Sequence, residues 1–344
     1  MRFGKAFLEK GGVDAAVLFN SMERPDSSFV YATGLRRVTG CLLVTPEGST
    51  VFVSPLEYVD AKKKSLVKNV KVLDENFYRS LGNFTKGKVG LNFDYVTVNG
   101  LTRLQKMIKG KCVDVSALFR EMRMIKQKEE VKLIEKACTI TDKIYSTIFR
   151  DAKSVKTEYE LKKMIEEEMR KYGTVPSFDT IVASGKNSAV PHHQSGATTL
   201  KGLTVIDMGV CVKEYCSDLT RTMFFGKPTA EEKSVYEVVK RVQASCLQMI
   251  REGEDYAVIH RYAAQHIGKD MIHSVGHGLG IDVHEQPFIR QDQGKIVLKK
   301  GMVITIEPGM YLPHRFGVRI EDDVVVEKDK GRVLSKTTKE LVVV

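Results

Sequence analysis

The sequence predicts an α+β protein in which a smaller α/β domain, residues 1–118, precedes a larger α+β domain, residues 119–344. Three observations lead to this prediction. The chain is longer than one hydrophobic core usually fills, which favours two domains. Short β-rich runs alternate with helical stretches in the first third of the chain, as in α/β domains. Long amphipathic helices and separate β-hairpins follow, as in α+β domains.

The first domain is predicted from buried strands and turn signals. Residues 15–19 form a continuous apolar run that is typical of a buried strand. Residues 41–45 and 50–54 flank a Pro-Glu-Gly turn and indicate a hairpin. A helix is expected over 97–110, and residues 116–126 are expected to connect the domains. No glycine-rich phosphate loop follows these strands, so the pattern does not indicate a nucleotide-binding domain.

The second domain is predicted from helical periodicity and helix caps. Apolar residues between Val131 and Ile148 recur at helical spacing. Thr157 and Thr229 each begin a T-x-x-E capping box, so helices are expected to about Lys171 and Glu252, and a fourth helix over 255–268. The expected strands are 178–183, 203–211, 215–225, 302–307, 317–327 and 333–335.

The composition is that of an ordinary globular protein, with 42% hydrophobic and 28% charged residues. No apolar run reaches the roughly 18 residues of a membrane span, and no secretory signal is recognised. Six scattered cysteines without a CxxC motif indicate reduced thiols, so we expect a cytoplasmic protein. The net charge of +11 comes from dispersed lysines without aromatic interleaving. This pattern favours a solubilising role over a nucleic-acid or membrane partner.

Two aspartates define the first candidate site. Asp207 and Asp218 lie in apolar β-rich runs on either side of a polar link. A turn centred on Val212-Lys213 would place them directly opposite each other, with Cβ atoms about 5 Å apart. Like charges in such a pair destabilise a sheet. The pair therefore requires a cation, a shared proton or a solvated edge.

A second pair of carboxylates repeats this arrangement. Glu307 and Glu321 lie in β-apolar runs, and their midpoint, His314, lies in a polar loop. Between the two pairs, His277 is surrounded by glycines, which indicates a tight backbone. Each of these residues alone could be a solvated or hydrogen-bonded side chain. Together, four carboxylates and one imidazole suit a two-metal site of Mn, Co, Fe or Zn. A shared-proton dyad would explain only the aspartates.

The order of the motifs resembles that of the "pita-bread" metallopeptidases. Asp207 and Asp218 are followed by the segments HSVGHGLG, VHEQP, ITIEPGMY and GVRIEDD. This family includes methionine aminopeptidase, Xaa-Pro aminopeptidase and Xaa-Pro dipeptidase (prolidase). The first domain resembles the prolidase and creatinase N-terminal domain, which methionine aminopeptidases generally lack.

The resemblance implies a site with two divalent metal ions in each subunit. Asp207 would bind one ion, and Asp218 and Glu321 would bridge both. His277 and Glu307 would complete the coordination of the other ion. A hydroxide between the ions would be the nucleophile, and Glu307 would carry the proton that the parent water loses to the leaving amine.

The resemblance also implies substrate contacts. His192 and His284 would act on the scissile carbonyl or the group after it and stabilise the oxyanion. His273 would be a further pocket histidine, and Phe178 would line the proline pocket. Arg319 would orient the carboxylates beside the substrate. His193 stands where the family often has glycine and is interpreted as structural.

The resulting hypothesis is a metallo-exopeptidase that hydrolyses Xaa-Pro bonds in small peptides with proline at the second position. The compact chain favours a dipeptidase over an Xaa-Pro aminopeptidase. The resemblance also implies a homodimer. Two alternatives stay open: an inactive pita-bread protein that binds protein or RNA, and a metal-free, creatinase-like hydrolase of a small amidine.

Overall fold

The computed structural model describes residues 3–288 and 295–344. The chain divides into two compact units, and the division falls between Arg123 and Met124. In the first unit the helices are α1 (Lys5–Gly11), α2 (Ser27–Thr33), α3 (Tyr58–Lys64), α4 (Glu75–Phe84), α5 (Val98–Met107) and α6 (Ser116–Met124). The strands are β1 (Ala15–Asn20), β2 (Gly40–Thr45), β3 (Gly48–Val53), β4 (Asn69–Val72), β5 (Lys88–Leu91) and β6 (Lys111–Asp114).

The first unit is an α/β domain around one mixed sheet of order β4-β3-β2-β1-β5-β6. Strand β2 pairs antiparallel with β1 and β3, and the outer strands pair parallel with their neighbours. The central strands are buried along almost their whole length, which explains their continuous apolar runs. The predicted hairpin around residues 46–48 is present as β2 and β3.

Helices α4 and α6 lie where the sequence predicted no helix. Helix α4 has weak helix formers in its interior, but Phe77 and Leu81 lie one turn apart and are buried. Phe77 stacks on Phe52 of β3 with ring centroids 4.3 Å apart, so tertiary packing stabilises the helix. Helix α6 occupies most of residues 116–126, where the prediction of a simple connection is wrong. Its buried Leu118 and Phe119 give it a core-facing side.

The second unit contains the helices α7 (Lys128–Asp151), α8 (Glu158–Lys171), α9 (Ala230–Met249) and α10 (Tyr256–Ile267). Its first strands are β7 (Val175–Pro176), β8 (Ile181–Ser184), β9 (Gly202–Met208), β10 (Val210–Val212), β11 (Tyr215–Cys216) and β12 (Leu219–Phe225). The remaining strands are β13 (His277–Gly278), β14 (Glu285–Phe288), β15 (Val303–Ile306), β16 (Gly309–Leu312), β17 (Phe316–Arg319), β18 (Asp322–Val326) and β19 (Gly331–Val333).

The helices cover antiparallel sheets in this unit. Helices α7 and α8 form one core with β8, β9 and β12, and α9 and α10 form another with β15 and β18. The largest sheet has the order β14-β13-β15-β18-β19. The predicted α+β class with an α/β N-terminal domain is therefore confirmed. Within the described parts of the chain, no helix combines the length and apolarity needed to cross a membrane.

The first hairpin has a different register from the predicted one. Asp207 pairs with Thr220, so the direct opposition of Asp207 and Asp218 is wrong. Val212 pairs with Tyr215, and Lys213 and Glu214 form the turn with positive φ angles of 46° and 73°. Such backbone angles are those of two-residue hairpin turns. Asp218 lies in the break between β11 and β12.

The second hairpin has the predicted register. Ile306 pairs with Asp322, and Gly309 pairs with Arg319. Both ladders are centred on the loop at His314, as the sequence predicts. Glu307 and Glu321 lie in the gap between the two ladders. Asp218, Glu307 and Glu321 thus lie where regular strand pairing is interrupted, whereas Asp207 lies within the ladder of β9 and β12.

Tyr145 of α7 stabilises the first hairpin, and its replacement tests that role. Its buried hydroxyl accepts the Arg221 N–H at 3.1 Å and donates to the carbonyl of Ile206 at 2.7 Å or of Leu219 at 3.0 Å. We expect Tyr145→Phe to lower the free energy of unfolding by about 1–3 kcal/mol, because it leaves strand groups unsatisfied. Urea unfolding measures this loss. The control Tyr159→Phe, at a 60% exposed tyrosine, should change it by less than about 0.5 kcal/mol, and equal losses would contradict the assignment.

Candidate metal centre

Four carboxylates and one imidazole converge in the second unit. Asp207 comes from β9, Asp218 precedes β12, His277 begins β13, Glu307 follows β15, and Glu321 precedes β18. Their side chains form overlapping groups in which one ligand atom from each residue lies within 4.8 Å of the others. These groups are Asp207 with Asp218 and Glu321, His277 with Glu307 and Glu321, and Asp218 with His277 and His284.

Glycines allow β13 to approach its neighbours closely. A Cβ atom at Gly276 would overlap the carbonyl oxygen of Thr305, and one at Gly278 would overlap that of Gln286. The short strand therefore fits between β14 and β15 only without side chains at these positions. This close approach brings His277 next to the carboxylates of the second hairpin.

The carboxylates have the unsatisfied atoms that a cation would explain. Among the described residues, Asp207 Oδ1, Asp218 Oδ1 and Glu321 Oε1 are buried without a hydrogen-bond partner. Such orphaned polar atoms are rare in folded proteins, and buried carboxylates require compensation. The guanidinium of Arg319 lies against Asp207, but one positive charge cannot balance four carboxylates. The donor set therefore fits divalent cations with a preference for oxygen and imidazole ligands.

The acid–base properties of the carboxylates reflect their confinement. Burial, reinforced by the charge of Glu321, raises the pKa of Asp218 well above its ordinary value. Burial and the charge of Glu307 do the same to the pKa of Glu321. Burial raises the pKa of Glu307 to about 8, against the opposing effect of Arg319. Without a cation, these groups would therefore tend to hold protons near neutral pH.

His277 is neutral and has one ring nitrogen free of a proton, as a metal ligand requires. Its Nδ1 lies 3.1 Å from the carbonyl oxygen of Gly278, so this nitrogen carries the proton. The other nitrogen, Nε2, lies 3.6 Å from Asp218 Oδ2 and 3.4 Å from Glu307 Oε1. Burial lowers the pKa of His277 to about 3. The lone pair of Nε2 therefore faces the carboxylates.

Arg319 and Thr220 hold two carboxylates in fixed orientations. Arg319 Nη2 donates to Asp207 Oδ2 at 2.6 Å, and its Nε donates to Thr220 Oγ1 at 3.1 Å. Thr220 Oγ1 in turn donates to Glu321 Oε2 at 2.7 Å. Since Thr220 is the cross-strand partner of Asp207, the corrected register creates this connection. These contacts favour an orienting role for Arg319 over direct substrate binding.

Tyr311 extends the same network to His273. Its hydroxyl accepts from Arg319 Nη1 at 2.9 Å and donates to His273 Nε2 at 2.7 Å. His273 Nδ1 donates to the carbonyl of Ser274 and lies 3.9 Å from Glu307 Oε2. Burial lowers the pKa of His273 to about 4, so its ring is neutral at physiological pH. The structure thus links His273 to both Glu307 and Arg319.

The other predicted substrate residues lie around this cluster. His284 is exposed, and its ring meets that of His277 edge-on with centroids 4.2 Å apart. His192 is exposed and lies close enough to His273 to contribute to the lowering of its pKa. Phe178 is half-buried. It was predicted to begin a strand over 178–183, but the observed strand β8 begins only at Ile181.

His193 has a structural contact. Its Nε2 lies 2.9 Å from Glu158 Oε2, and Glu158 is fully buried. The same carboxylate accepts hydrogen bonds from Ser184 N–H, Asn187 and Gly196 N–H. Glu158 thus anchors both ends of the loop that carries His192.

Tyr311 and Asp323 contact residues of this cluster but were not among the site residues predicted from the sequence. Tyr311 has no charge, but it follows Glu307 within the segment EPGMY. Asp323 accepts the backbone N–H of Asp218 at 2.9 Å and the thiol of Cys138 at 3.2 Å. Burial raises the pKa of Asp323 to about 8. Its signal was a third consecutive acidic residue, after Glu321, in an otherwise apolar run.

Comparison with known proteins agrees with this fold and cluster. Residues 132–328 match metallopeptidase family M24, and residues 4–125 match the creatinase/prolidase N-terminal domain. The chain therefore belongs to metallopeptidase family M24. In the sequence, a creatinase-type α/β domain precedes a pita-bread catalytic domain. It is a metallo-exopeptidase of this family, and the predicted family and enzyme class are confirmed.

Several relatives match over nearly their whole length. An Xaa-Pro dipeptidase of Pyrococcus horikoshii is 35% identical, and the match covers 98% of this chain and 96% of that protein. A solved prolidase structure from the same organism has a TM-score of 0.88 at 33% identity, with 98% of each chain covered. An X-Pro aminopeptidase from Thermotoga maritima has a TM-score of 0.90 at 28% identity, with 99% and 100% covered.

Thr220 offers a test of how the cluster is held. Thr220→Val keeps the shape of the side chain and removes the hydroxyl between Arg319 and Glu321. We expect metal affinity, measured by calorimetry with Mn²⁺, to fall about 10- to 100-fold, as for other residues that orient metal ligands. Thr204→Val is the matched control, because Thr204 is a buried threonine of β9 that contacts Ser184 instead. Unchanged affinity in Thr220→Val would refute the orienting role.

The raised pKa of Glu307 predicts a pH-dependent effect of metal. The carboxyl of Glu307 loses its proton near pH 4.5 in the unfolded chain and near pH 8 in the folded, metal-free chain. The free energy of unfolding of the metal-free protein should therefore fall as pH rises between these values. A cation that replaces the proton should then raise Tm more at about pH 8 than at about pH 6. Thermal unfolding with and without Mn²⁺ measures both shifts. Glu307→Gln should flatten the difference, and equal shifts in the unaltered protein would contradict the prediction.

Proposed function

We propose that the protein is an Xaa-Pro dipeptidase, which hydrolyses the bond before proline in dipeptides. The observation that carries the proposal is the convergence of Asp207, Asp218, His277, Glu307 and Glu321 into overlapping ligand groups. Their presence in an M24 chain supports metal-dependent peptide hydrolysis. The full-length similarity to proteins named Xaa-Pro dipeptidases supports the preference for proline.

We propose that the cluster binds two divalent ions of Mn, Co, Fe or Zn. Asp218 and Glu321 each belong to two of the ligand groups and have two carboxylate oxygens to offer, which supports a bridging role for both. His277 also belongs to two groups, but only its Nε2 faces the carboxylates. Asp207 would then belong to one ion, and His277 and Glu307 to the other. When bound, such ions supply a water molecule whose pKa is lowered to near neutrality.

Glu307 is the proposed proton carrier. Its carboxylate is 15% exposed, so it can meet both buried ligands and a substrate. Glu307 would accept a proton at one carboxylate oxygen and deliver it to the leaving proline nitrogen. The neutral ring of His273, 3.9 Å away, would not compete for that proton.

His192 and His284 are the proposed contacts to the scissile peptide. Both are exposed, and His284 borders His277, so its imidazole can reach a carbonyl oxygen beside the cluster. An N–H donor at this place would stabilise the developing oxyanion. His273 and Phe178 would border the substrate, with Phe178 against the proline ring. Arg319 would act by holding Asp207 and Tyr311.

An Xaa-Pro aminopeptidase is the second candidate. It is favoured by the structural similarity to an X-Pro aminopeptidase over the whole chain. The two activities differ in whether residues beyond proline are accepted, and they use the same kind of cluster. A homodimer and a cytoplasmic location remain predictions of the proposed function, and sedimentation in solution tests the first.

An assay of two substrates tests the proposal. Purified protein with Mn²⁺ or Co²⁺ should hydrolyse an Xaa-Pro dipeptide, and turnover of only an Xaa-Pro-Yaa tripeptide would favour the aminopeptidase instead. Asp218→Asn should lower kcat at least about 100-fold and reduce the bound metal, because it removes a ligand charge shared by two groups. Asp60→Asn, at an exposed helix position, is the control with unchanged activity. Bound metal without turnover of either peptide would contradict the proposal.

A further inference from the structure

A buried ion pair holds the first residue of β14, the strand that follows His284. Lys126 Nζ donates to Glu285 Oε1 at 2.8 Å, and the two side chains are only 1% and 6% exposed. The residues are 159 positions apart in the sequence. Neither takes part in the proposed metal site. Their burial therefore needs an explanation outside metal binding.

Stability alone is a poor explanation for this pair. Moving an ammonium and a carboxylate out of water costs several kcal/mol each, and apolar side chains of similar volume often serve stability equally well. A charged pair differs in being directional, since it fixes one position of its partners. The pair is thus suited to setting the position of the strand to which Glu285 belongs.

The position of Glu285 determines that of His284, because the two residues are adjacent in the chain. Glu285 begins β14, and His284 is the residue directly before it. The ring of His284 meets that of His277, whereas the side chain of Glu285 meets Lys126. A shift of Glu285 would therefore move the imidazole of His284 relative to the metal ligands.

Both partners are fixed by the surrounding backbone. The Lys126 N–H donates to the carbonyl of Gly301 at 2.8 Å, in the segment before β15. A Cβ atom at Gly280 would overlap the carboxylate of Glu285, so the glycine provides the space for that carboxylate. The carbonyl of Gly280 also accepts the N–H of Cys216, two residues before Asp218. The ion pair is thus joined to the first hairpin as well as to β14.

We infer that Lys126 and Glu285 are positioning residues that hold His284 at the distance from His277 which the reaction requires. The inference rests on the proposed function, in which His284 contacts the scissile peptide. Loss of the pair should mainly lower kcat, because a misplaced donor weakens stabilisation of the transition state. Metal binding should persist, because none of the five proposed ligands contacts Lys126.

Kinetics of single variants give the first test. We expect Lys126→Met to lower kcat about 10- to 100-fold on the Xaa-Pro dipeptide with little change in KM and unchanged metal content. In a His284→Ala background the same substitution should lower kcat by less than about 3-fold, because its effect depends on His284. Additive losses would overturn the inference. Lys240→Met is the matched control: it breaks a 2.9 Å pair with Glu340 that spans 100 positions, and it should leave kcat unchanged.

An apolar double variant separates positioning from stability. Lys126→Met combined with Glu285→Leu removes both charges, so Tm should return close to that of the unaltered protein even if a single variant folds poorly. If the pair positions His284, kcat stays low in this double variant. If kcat recovers together with Tm, the pair is only structural and the inference fails.

A spectroscopic measurement makes the test independent of activity. In the zinc-loaded protein, the ring signal of His284 among the eight histidines is identified by its loss in His284→Ala. That signal should shift in Lys126→Met and stay unchanged in Lys240→Met. An unchanged signal in Lys126→Met would refute positioning. A shifted signal in a protein without Xaa-Pro activity would instead refute only the proposed function.

Discussion

Mutual repulsion among four confined carboxylates is the constraint on which the second unit depends. Asp207, Asp218, Glu307 and Glu321 approach one another where burial weakens the screening by water. A chain free to relax would separate them. Here Asp207 lies within a strand and the other three lie next to strands, and backbone hydrogen bonds fix these strands in their ladders. The hairpins therefore hold together charges that would otherwise move apart. This enforced proximity brings together the ligand atoms that a metal ion would require.

The same constraint explains the polar network behind the cluster. Arg319 offsets part of the charge and, through Thr220 and Tyr311, fixes the orientations of Glu321 and His273. These contacts satisfy one oxygen each of Asp207 and Glu321 and leave the other oxygen of each without a partner. The network therefore determines which lone pairs remain available. Hydrogen bonds behind the ligands are as much a part of the site as the ligands themselves.

Local signals were predictable where one residue type dictates a backbone conformation. Thr229 forms the full capping box with Glu232 that its T-x-x-E pattern predicts. At Thr157 the helix also begins as predicted, but Glu160 accepts from the N–H of Lys156, so the reciprocal half of the box differs. The predicted register of the first hairpin was wrong because Lys213 and Glu214 form its turn with positive φ angles. Neither residue type indicates such a turn in the sequence.

The sequence by itself determined the family, the fold class and the set of candidate ligands, because short motifs in fixed order report residue types that such chemistry requires. Only the tertiary structure decided which atoms meet. It paired Asp207 with Thr220, directed His193 to Glu158, and buried Lys126 against Glu285. Contacts between distant segments depend on how helices and sheets pack, and that packing has no local signature in the order of the residues.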